Sequence, residues 1–513
     1  MRPLIAVLLA VILTMQVGGL AVAAQPAAMP PALYLGILPE FREEIREETA
    51  EELTRYTIDV RLDTEDSTIA GDARVLFRNA TPDTLTDVVF RLYPNGAHYD
   101  EGSLTIERAL LDGEEARPRL DVEDTVLSLP LGEPLLPGDA AEIDLDFTVR
   151  VPTNSDGTFG VFSQDTADGT WVLADWYPIV AGYETGTGWR LDAPIAGVDA
   201  TFSDAALYDV TFTAPTDLTV VATGTEVSAT ESGEEVRRRY LSGPVREFAL
   251  VADDDYVVVT GQAGATTIRS YANPGAEAGA QAALAIAEDA VAAYSAHFGT
   301  YPYEELDLVD TPMAGALGVS WSGIVFINGN LVYDVPLYLN DPSRFEYLIA
   351  HEVGHQWWGG TVGANSNDHT FLTEGLTNAG FVTYLEAVHG PDKAEEELRA
   401  QVVDPYVSAL TTIGDGVVDV PINQVTGGPP RGVLDYGKGA IGFLAIRVAI
   451  GDDAYLAALR DYADRYAFNV AEPRDLRRAF ERAAGEQIDE LWRVWFESAE
   501  TTPADVEAVV AGL

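Results

Sequence analysis

From Tyr56 onward the chain alternates apolar and polar residues with a period of two, as in Tyr56-Thr57-Ile58-Asp59-Val60-Arg61-Leu62 and again from Ala73 to Arg78. Successive side chains on a strand point to opposite faces, so such runs mark half-buried strands. Similar runs recur at 88–93, 141–149, 208–212, 218–222 and 256–260. Turn-forming pairs such as Asn95-Gly96, Asp112-Gly113 and Pro137-Gly138 separate them. Residues 55–270 are therefore expected to form one antiparallel β domain. The pattern then changes. Residues 275–297 are rich in alanine, carry apolar positions at helical spacing and stop before Gly299. A strand-like Leu306–Val309 follows Tyr301-Pro302-Tyr303, and from Pro342 the three-and-four spacing of helices dominates, notably over 344–358, 455–466 and 476–496. These shifts predict a mixed α/β unit at 271–447 and a helical tail at 448–513, a multidomain α+β chain.

The amino terminus follows a different pattern. Arg2 precedes a run from Leu4 to Ala24 with almost no polar side chain, ending in Ala21-Val22-Ala23 ahead of Gln25 and Pro26. Small residues at that spacing after a basic start mark a cleavable secretory signal, here residues 1–24. The alternative is an uncleaved anchor, because about 20 apolar residues span a bilayer. No later segment reads as a membrane span. The expectation is an exported protein, secreted or periplasmic, without stable membrane insertion once the signal is cleaved; an N-terminally anchored protein is the alternative. Residues 25–54 form a leader whose acidic stretch, 39–54, is expected to contain a short helix.

At 513 residues the chain exceeds what one core supports. Its 82 acidic residues against 31 basic ones leave a net charge of −51, and only two of the basic residues, Lys393 and Lys438, are lysine. Such a field repels nucleic acid and anionic lipid, and it reads as a solvated surface suited to a salty medium. The chain has no cysteine, which removes disulfide scaffolds, thiolate metal sites and cysteine nucleophiles.

The chemistry concentrates at His351-Glu352-Val353-Gly354-His355. Histidines four apart on a helix lie on one face, one turn above the other, so both imidazoles can reach one ion. Glu352, one position on, can reach a water on that ion. A zinc ion suits the donors, and a third is needed. Glu374 opens the next helical stretch, Phe371-Leu372-Thr373-Glu374-Gly375-Leu376. It is either that ligand or a carboxylate complementing the helix dipole. Two histidines and one glutamate would leave the fourth position open for catalysis. Asn378, four residues after Glu374, is a candidate to orient a ligand histidine from behind.

Eighteen residues separate His355 from Glu374. HExxH followed by glutamate at that spacing resembles the gluzincin metallopeptidases of the aminopeptidase N family, which also contains the leukotriene-A hydrolases. Gln356-Trp357-Trp358-Gly359, Glu374-Gly375-Leu376 and Asp435-Tyr436-Gly437-Lys438-Gly439-Ala440 agree with the family's words around these positions. Trp176-Tyr177-Pro178, Trp189 and Tyr208-Asp209-Val210 resemble the β saddle domain of its smaller bacterial members, and Tyr301-Pro302-Tyr303 the entry to their thermolysin-like domain. The likeness covers about 55–500. It implies a β saddle domain, a thermolysin-like catalytic domain and a short helical end. It further implies one Zn²⁺ per chain on His351, His355 and Glu374, Glu352 as general base, Tyr436 as oxyanion donor, and a peptide or protein substrate.

One departure matters. The family's exopeptidase motif, glycine-x-methionine-glutamate-asparagine, holds the substrate's free α-amine with its glutamate. Here Gly315-Ala316-Leu317 starts like that motif, but Gly318 stands where glutamate belongs; aligned instead on Gly323-Ile324-Val325-Phe326, the position falls on Ser320. No carboxylate occurs between Asp310 and Asp334. Gly315 and Ala316 remain candidate substrate contacts, and Trp321 is either an apolar wall or core. A secreted, aminopeptidase-like zinc peptidase without the usual amine anchor is the leading expectation. It would cleave internally, accept blocked termini, or borrow an acid from the β domain such as Asp175 or Glu184. An endopeptidase, another zinc hydrolase and a non-catalytic binding or scaffold descendant are the alternatives.

Overall fold

The structure is a computed structural model that describes residues 31–513 apart from 196, 198–201, 334–335 and 425–427. The signal segment therefore lies outside the described residues. Among the described residues no helix is long and apolar enough to cross a membrane.

The alternating segments form an eight-stranded sheet. Its spatial order is Thr225–Ser232, Glu235–Val245, Ala206–Pro215, Thr54–Asp63, Thr68–Arg78, Ala140–Arg150, Ser103–Leu111 and Glu114–Glu115. Pairing is antiparallel except between Thr54–Asp63 and Ala206–Pro215, which run parallel. Period two has the expected result: Tyr56, Ile58, Val60 and Leu62 turn into the core while Asp59 and Arg61 face water. On the wet face arginines pair across strands, Arg74 with Asp144 and Arg108 with Asp146, so scarce cations offset part of the acidic excess. Two smaller four-stranded sheets, Thr219–Ala222, Leu250–Asp253, Trp171–Leu173 and Phe162–Gln164, and Ile179–Val180, Leu85–Arg91, Val126–Leu135 and Arg119–Asp121, complete this region.

Its core is aromatic. Tyr56 stacks on Tyr208 with ring centroids 4.8 Å apart, and Tyr177 meets both edge-on. Two of the three hydroxyls serve one segment: Tyr177 Oη donates to Tyr208 Oη (2.9 Å), Tyr208 Oη donates to Arg246 O (3.1 Å), and Phe248 N donates to Tyr177 Oη (3.1 Å). Trp176 Nε1 donates to Phe248 O at 3.1 Å. Each such bond contributes about 1 kcal/mol net, and together they fix Arg246-Glu247-Phe248 where it faces the next unit.

That unit is built on a five-stranded sheet in the order Val257–Ala263, Thr266–Ala272, Glu305–Thr311, Ile324–Asn328 and Gly318–Trp321. The first two strands differ from the expectation. The pattern grouped 256–270 with the β domain, yet Thr266–Ala272 hydrogen-bonds in parallel to Glu305–Thr311. Alternation reports that a strand is half-buried but not which sheet it joins. Helix Glu277–Phe298 covers this sheet, and Tyr294 Oη donates to Ala350 O at 3.0 Å, seating the helix that carries the two histidines.

That helix, Pro342–Gly354, begins with Asp341 accepting from Arg344 N and with proline at its first position. It ends four residues before the expected 358, because the chain turns at Gly359, whose φ of +126° suits only glycine. Helix Glu374–His389 packs beside it. The expected boundary at 447/448 falls inside helix Ala440–Ile450; the turn comes instead at Gly451, φ +84°. Lys438 ties the terminal helices to this unit. It is fully buried, and its three ammonium protons go to Asp415 Oδ2 (2.8 Å), Gly416 O (2.8 Å) and Ser498 O (2.6 Å). The leader does contain the short helix, Arg42–Thr49, and Arg42 pairs with Glu304, just before strand Glu305–Thr311 of the second unit.

Candidate metal centre and active site

The two helices bring three donor atoms together. His351 Nε2 and His355 Nε2 lie 3.1 Å apart, and Glu374 Oε2 lies 3.2 Å from the first and 3.3 Å from the second. The outer nitrogens settle the tautomers. His355 Nδ1 lies 3.0 Å from Trp358 O, a carbonyl, so Nδ1 carries the proton. His351 Nδ1 lies 2.8 Å from Asn378 Oδ1, and that amide is oriented by its Nδ2 donating to Tyr436 O at 2.8 Å. Tyr347 Oη also donates to Asn378 Oδ1, at 2.9 Å. Each ring thus spends its Nδ1 on a partner behind it and turns its Nε2 toward the other ring and a carboxylate oxygen. Glu374 Oε2 is itself buried and accepts no hydrogen bond from the described residues. Lone pairs this close repel unless a cation sits among them, so the donor set fits a metal ion.

Electrostatics agree. Burial opposes charging His355, but the Glu374 carboxylate outweighs it and lifts the imidazole to about 9. Burial would likewise raise Glu374, yet the two histidines hold it well below the usual carboxylate range. The site attracts positive charge, whether a proton or an ion.

The edge strand Gly318–Trp321 runs along the cleft above this centre. Positions 318 and 320 lie two apart on a strand and share a face, and both meet Glu352. Ser320 Oγ lies 2.7 Å from Glu352 Oε2 and 2.9 Å from Glu352 O, while a Cβ on Gly318 would fall 2.8 Å from Glu352 Cγ and Oε1. Both candidate positions of the missing glutamate thus border Glu352, and neither carries a charge. Gln356 fixes the strand to the helix: its Nε2 donates to Trp321 O (2.9 Å) and its Oε1 accepts from Gly323 N (2.8 Å). Gly318→Ala is expected to push the Glu352 carboxylate aside and lower kcat/KM by about 100-fold, the usual cost of a 1 Å misplacement, with metal content unchanged. Paired kinetics and metal analysis check it.

Gly315 and Ala316 line the same cavity, about 540 Å³ in volume, and Asn328 Nδ2 holds their loop through Ala316 O at 2.9 Å. Tyr436 lies across the cleft in a π-helical turn, Leu434–Gly439, with its ring 5.5 Å from that of His351. The residue as a whole is 37% exposed. Its phenol is nevertheless raised well above its ordinary value, by burial first and then by the Glu374 and Glu352 carboxylates, so it keeps its proton. Trp321 is buried against Phe326 and also borders the cavity. The β-domain acids named from sequence lie elsewhere. Glu184 pairs with Arg190, and Asp175 borders a separate small hollow with Arg91 and Tyr93. The β-domain acid that does line the cavity is Glu247, which no local pattern singled out.

Residues 282–495 match the peptidase family M1 domain. That segment is thus similar to the catalytic domain of the M1 peptidases, the family of aminopeptidase N. Among similar proteins, aminopeptidase M1-B of Oryza sativa subsp. japonica is 27% identical over 305 residues, covering 56% of this chain and 34% of that one. Probable aminopeptidase 1 of Saccharolobus solfataricus is 25% identical over 251 residues, 47% of this chain and 31% of that one. The matched segments thus span about a third of these relatives. In fold the chain resembles an M1 zinc metallopeptidase from Deinococcus radiodurans, with a TM-score of 0.65 at 18% identity, covering 88% of this chain and 94% of the other. The centre His351, His355 and Glu374 lies inside the matched M1 domain, and Glu247 lies outside it.

Proposed function

We propose that this chain is an exported zinc peptidase of the M1 family. The observation that carries the reading is the convergence on one point of two imidazole Nε2 atoms, their rings fixed through Nδ1, and one carboxylate oxygen. Imidazole and carboxylate donors suit zinc, and among the described residues His351, His355 and Glu374 form the one such group that contains imidazoles, which fits one ion per chain. A bound Zn²⁺ supplies Lewis acidity there, lowering the pKa of water and polarising a carbonyl.

The chain's own residues supply the rest. Glu352, 5% exposed and held by Ser320, accepts the proton of the attacking water and returns it to the leaving amine. The Tyr436 phenol, kept protonated by its surroundings, donates to the oxyanion as it forms. Asn378 holds His351 and the Tyr436 main chain at once, so the ligand and the oxyanion donor move together. The edge strand lies where an extended peptide can align, and Gly315 and Ala316 border that groove.

Tyr436→Phe is expected to lower kcat by about 100- to 1,000-fold, with little change in KM and full zinc content, because the bond it removes forms only in the transition state. Steady-state kinetics on a peptide substrate test this; a variant with wild-type kcat removes the role. Export rests on residues 1–24, and amino-terminal sequencing of the mature protein, expected to begin near Ala24 or Gln25, tests it.

A further inference from the structure

From the metal centre the cleft continues in one direction. Past His355 it is walled by Arg246, whose N–H reaches Ser322 Oγ just beyond the edge strand (3.4 Å) and whose Nε donates to Gly359 O (2.8 Å) and Gly360 O (2.9 Å). The other way it runs past Gly318 to Ala316 and Gly315 on one side and along helix Pro342–Gly354 on the other. Positions 344, 348, 351 and 355 are three and four residues apart, so they share one helix face, and all four residues border the cavity. Arg344 stands two turns before His351, about 10 Å along the axis. An extended peptide advances about 3.3 Å per residue, which puts Arg344 roughly three residues from the scissile bond.

The charge of Arg344 is the one the cleft leaves unanswered. Three arginines border the cavity, Arg246, Arg344 and Arg431. Arg246 gives its guanidinium to main-chain carbonyls, and Arg431 pairs with Asp435 at 2.9 Å. Arg344 Nη1 donates to Gln401 Oε1 at 3.1 Å, a neutral acceptor, and among the described residues no carboxylate lies within ion-pair distance of the guanidinium. Even Asp341 accepts from the Arg344 main-chain N–H (3.0 Å) instead. A cation in the first turn also opposes the helix dipole, so helix stability does not account for it. Yet the group is held in place. It is half-buried, and it lies 4.7 Å from the centre of the Tyr347 ring, whose hydroxyl is fixed on Asn378. In a chain of net charge −51, an oriented arginine without an acid beside it fits a carboxylate brought by a ligand. A guanidinium has five N–H donors, and a carboxylate can take two of them side by side.

We infer that Arg344 binds a carboxylate of the substrate, the terminal group of a short peptide or an acidic side chain, roughly three residues from the scissile bond. This rests on the peptidase reading above. Arg344 is then a specificity-determining residue set apart from the metal and from the groups that move protons.

The test uses the full mature chain, loaded with zinc, on tetrapeptides of one neutral sequence: with a free carboxyl terminus, with an amidated terminus, and amidated with glutamate as the last residue. Wild type is expected to favour a carboxylate peptide over the neutral amide by about 10- to 100-fold in kcat/KM, the range of hydrogen bonds to charged groups. The difference should lie mainly in KM, because the contact is remote from the reacting atoms. A gain for the free terminus alone assigns the terminal carboxylate, and a gain for the glutamate peptide assigns the side chain; either supports the inference. Arg344→Gln should bring the ratio to one or below, since the acidic chain repels anions, with zinc content unchanged. Arg344→Lys, which keeps the charge but not the fork, should fall between, and it carries the comparison if Arg344→Gln does not fold. Equal wild-type rates on all the peptides overturn the inference and leave the peptidase reading standing, as does a carboxylate preference that survives both substitutions. Turnover of none of them by zinc-loaded wild type overturns both.

Discussion

Glu352→Gln is expected to retain one zinc per chain and to lose at least about 1,000-fold in kcat/KM, within the range seen for general acid–base catalysis. The substitution is nearly isosteric. An amide at this position still meets Ser320 Oγ, now 2.7 Å from Glu352 Oε2, and still fits beneath Gly318, so the helix and the edge strand have no reason to move. What changes is proton affinity: an amide cannot take a proton from water or deliver one to an amine. Neither neighbour substitutes, because Ser320 is a hydroxyl and Tyr436 holds its proton tightly. Metal analysis beside steady-state kinetics reads both halves of the expectation. A zinc-loaded, fully active variant would remove Glu352 from the chemistry, and a zinc-free one would mean the glutamate holds the site together instead.

Glu374→Ala should act at the other level. Removing an outer partner of a metal ligand costs about 10- to 100-fold in affinity, and removing a ligand costs more. The variant is expected to leave purification with little zinc and to regain only weak activity in excess metal. Folding should survive, because the loss relieves a buried carboxylate rather than a packed side chain. Glu374 Oε2 accepts no hydrogen bond from the described residues, and the rest of its helix stays buried through Leu376, Ala379 and Phe381. A thermal midpoint near that of the metal-free wild type, together with lost activity, would separate loss of the ion from loss of the fold.

The metal centre was legible because its geometry is local. Four residues along a helix place two imidazoles on one face whatever surrounds them, and Asn378 follows Glu374 by one turn for the same reason. The strands were legible one at a time, from Tyr56 to Leu62 and from Ala141 to Val149, because alternation is also local. Partnership was not. Val257–Ala263 and Thr266–Ala272 read as part of the β domain, and only the pairing with Glu305–Thr311 assigns them to the second unit. The same limit hid Gln356, which looks like one polar residue in an aromatic word until its amide is seen clamping Trp321 and Gly323. It hid Glu247 more completely. One acid among 82, it reaches the cleft only because two tyrosine hydroxyls, of Tyr177 and Tyr208, fix its neighbours Phe248 and Arg246. Ser320 lies between these cases. An alignment on Gly323 pointed to it as the residue in place of a carboxylate, but its contact with Glu352 is tertiary.

The most direct measurement is the metal content of the purified chain, wild type beside Glu374→Ala, by inductively coupled plasma mass spectrometry. One zinc atom per wild-type chain, with the variant close to zero, is the predicted result. A wild-type chain that binds no divalent ion even when supplied with one, or a variant that keeps the ion as tightly as wild type, would contradict a centre made of His351, His355 and Glu374.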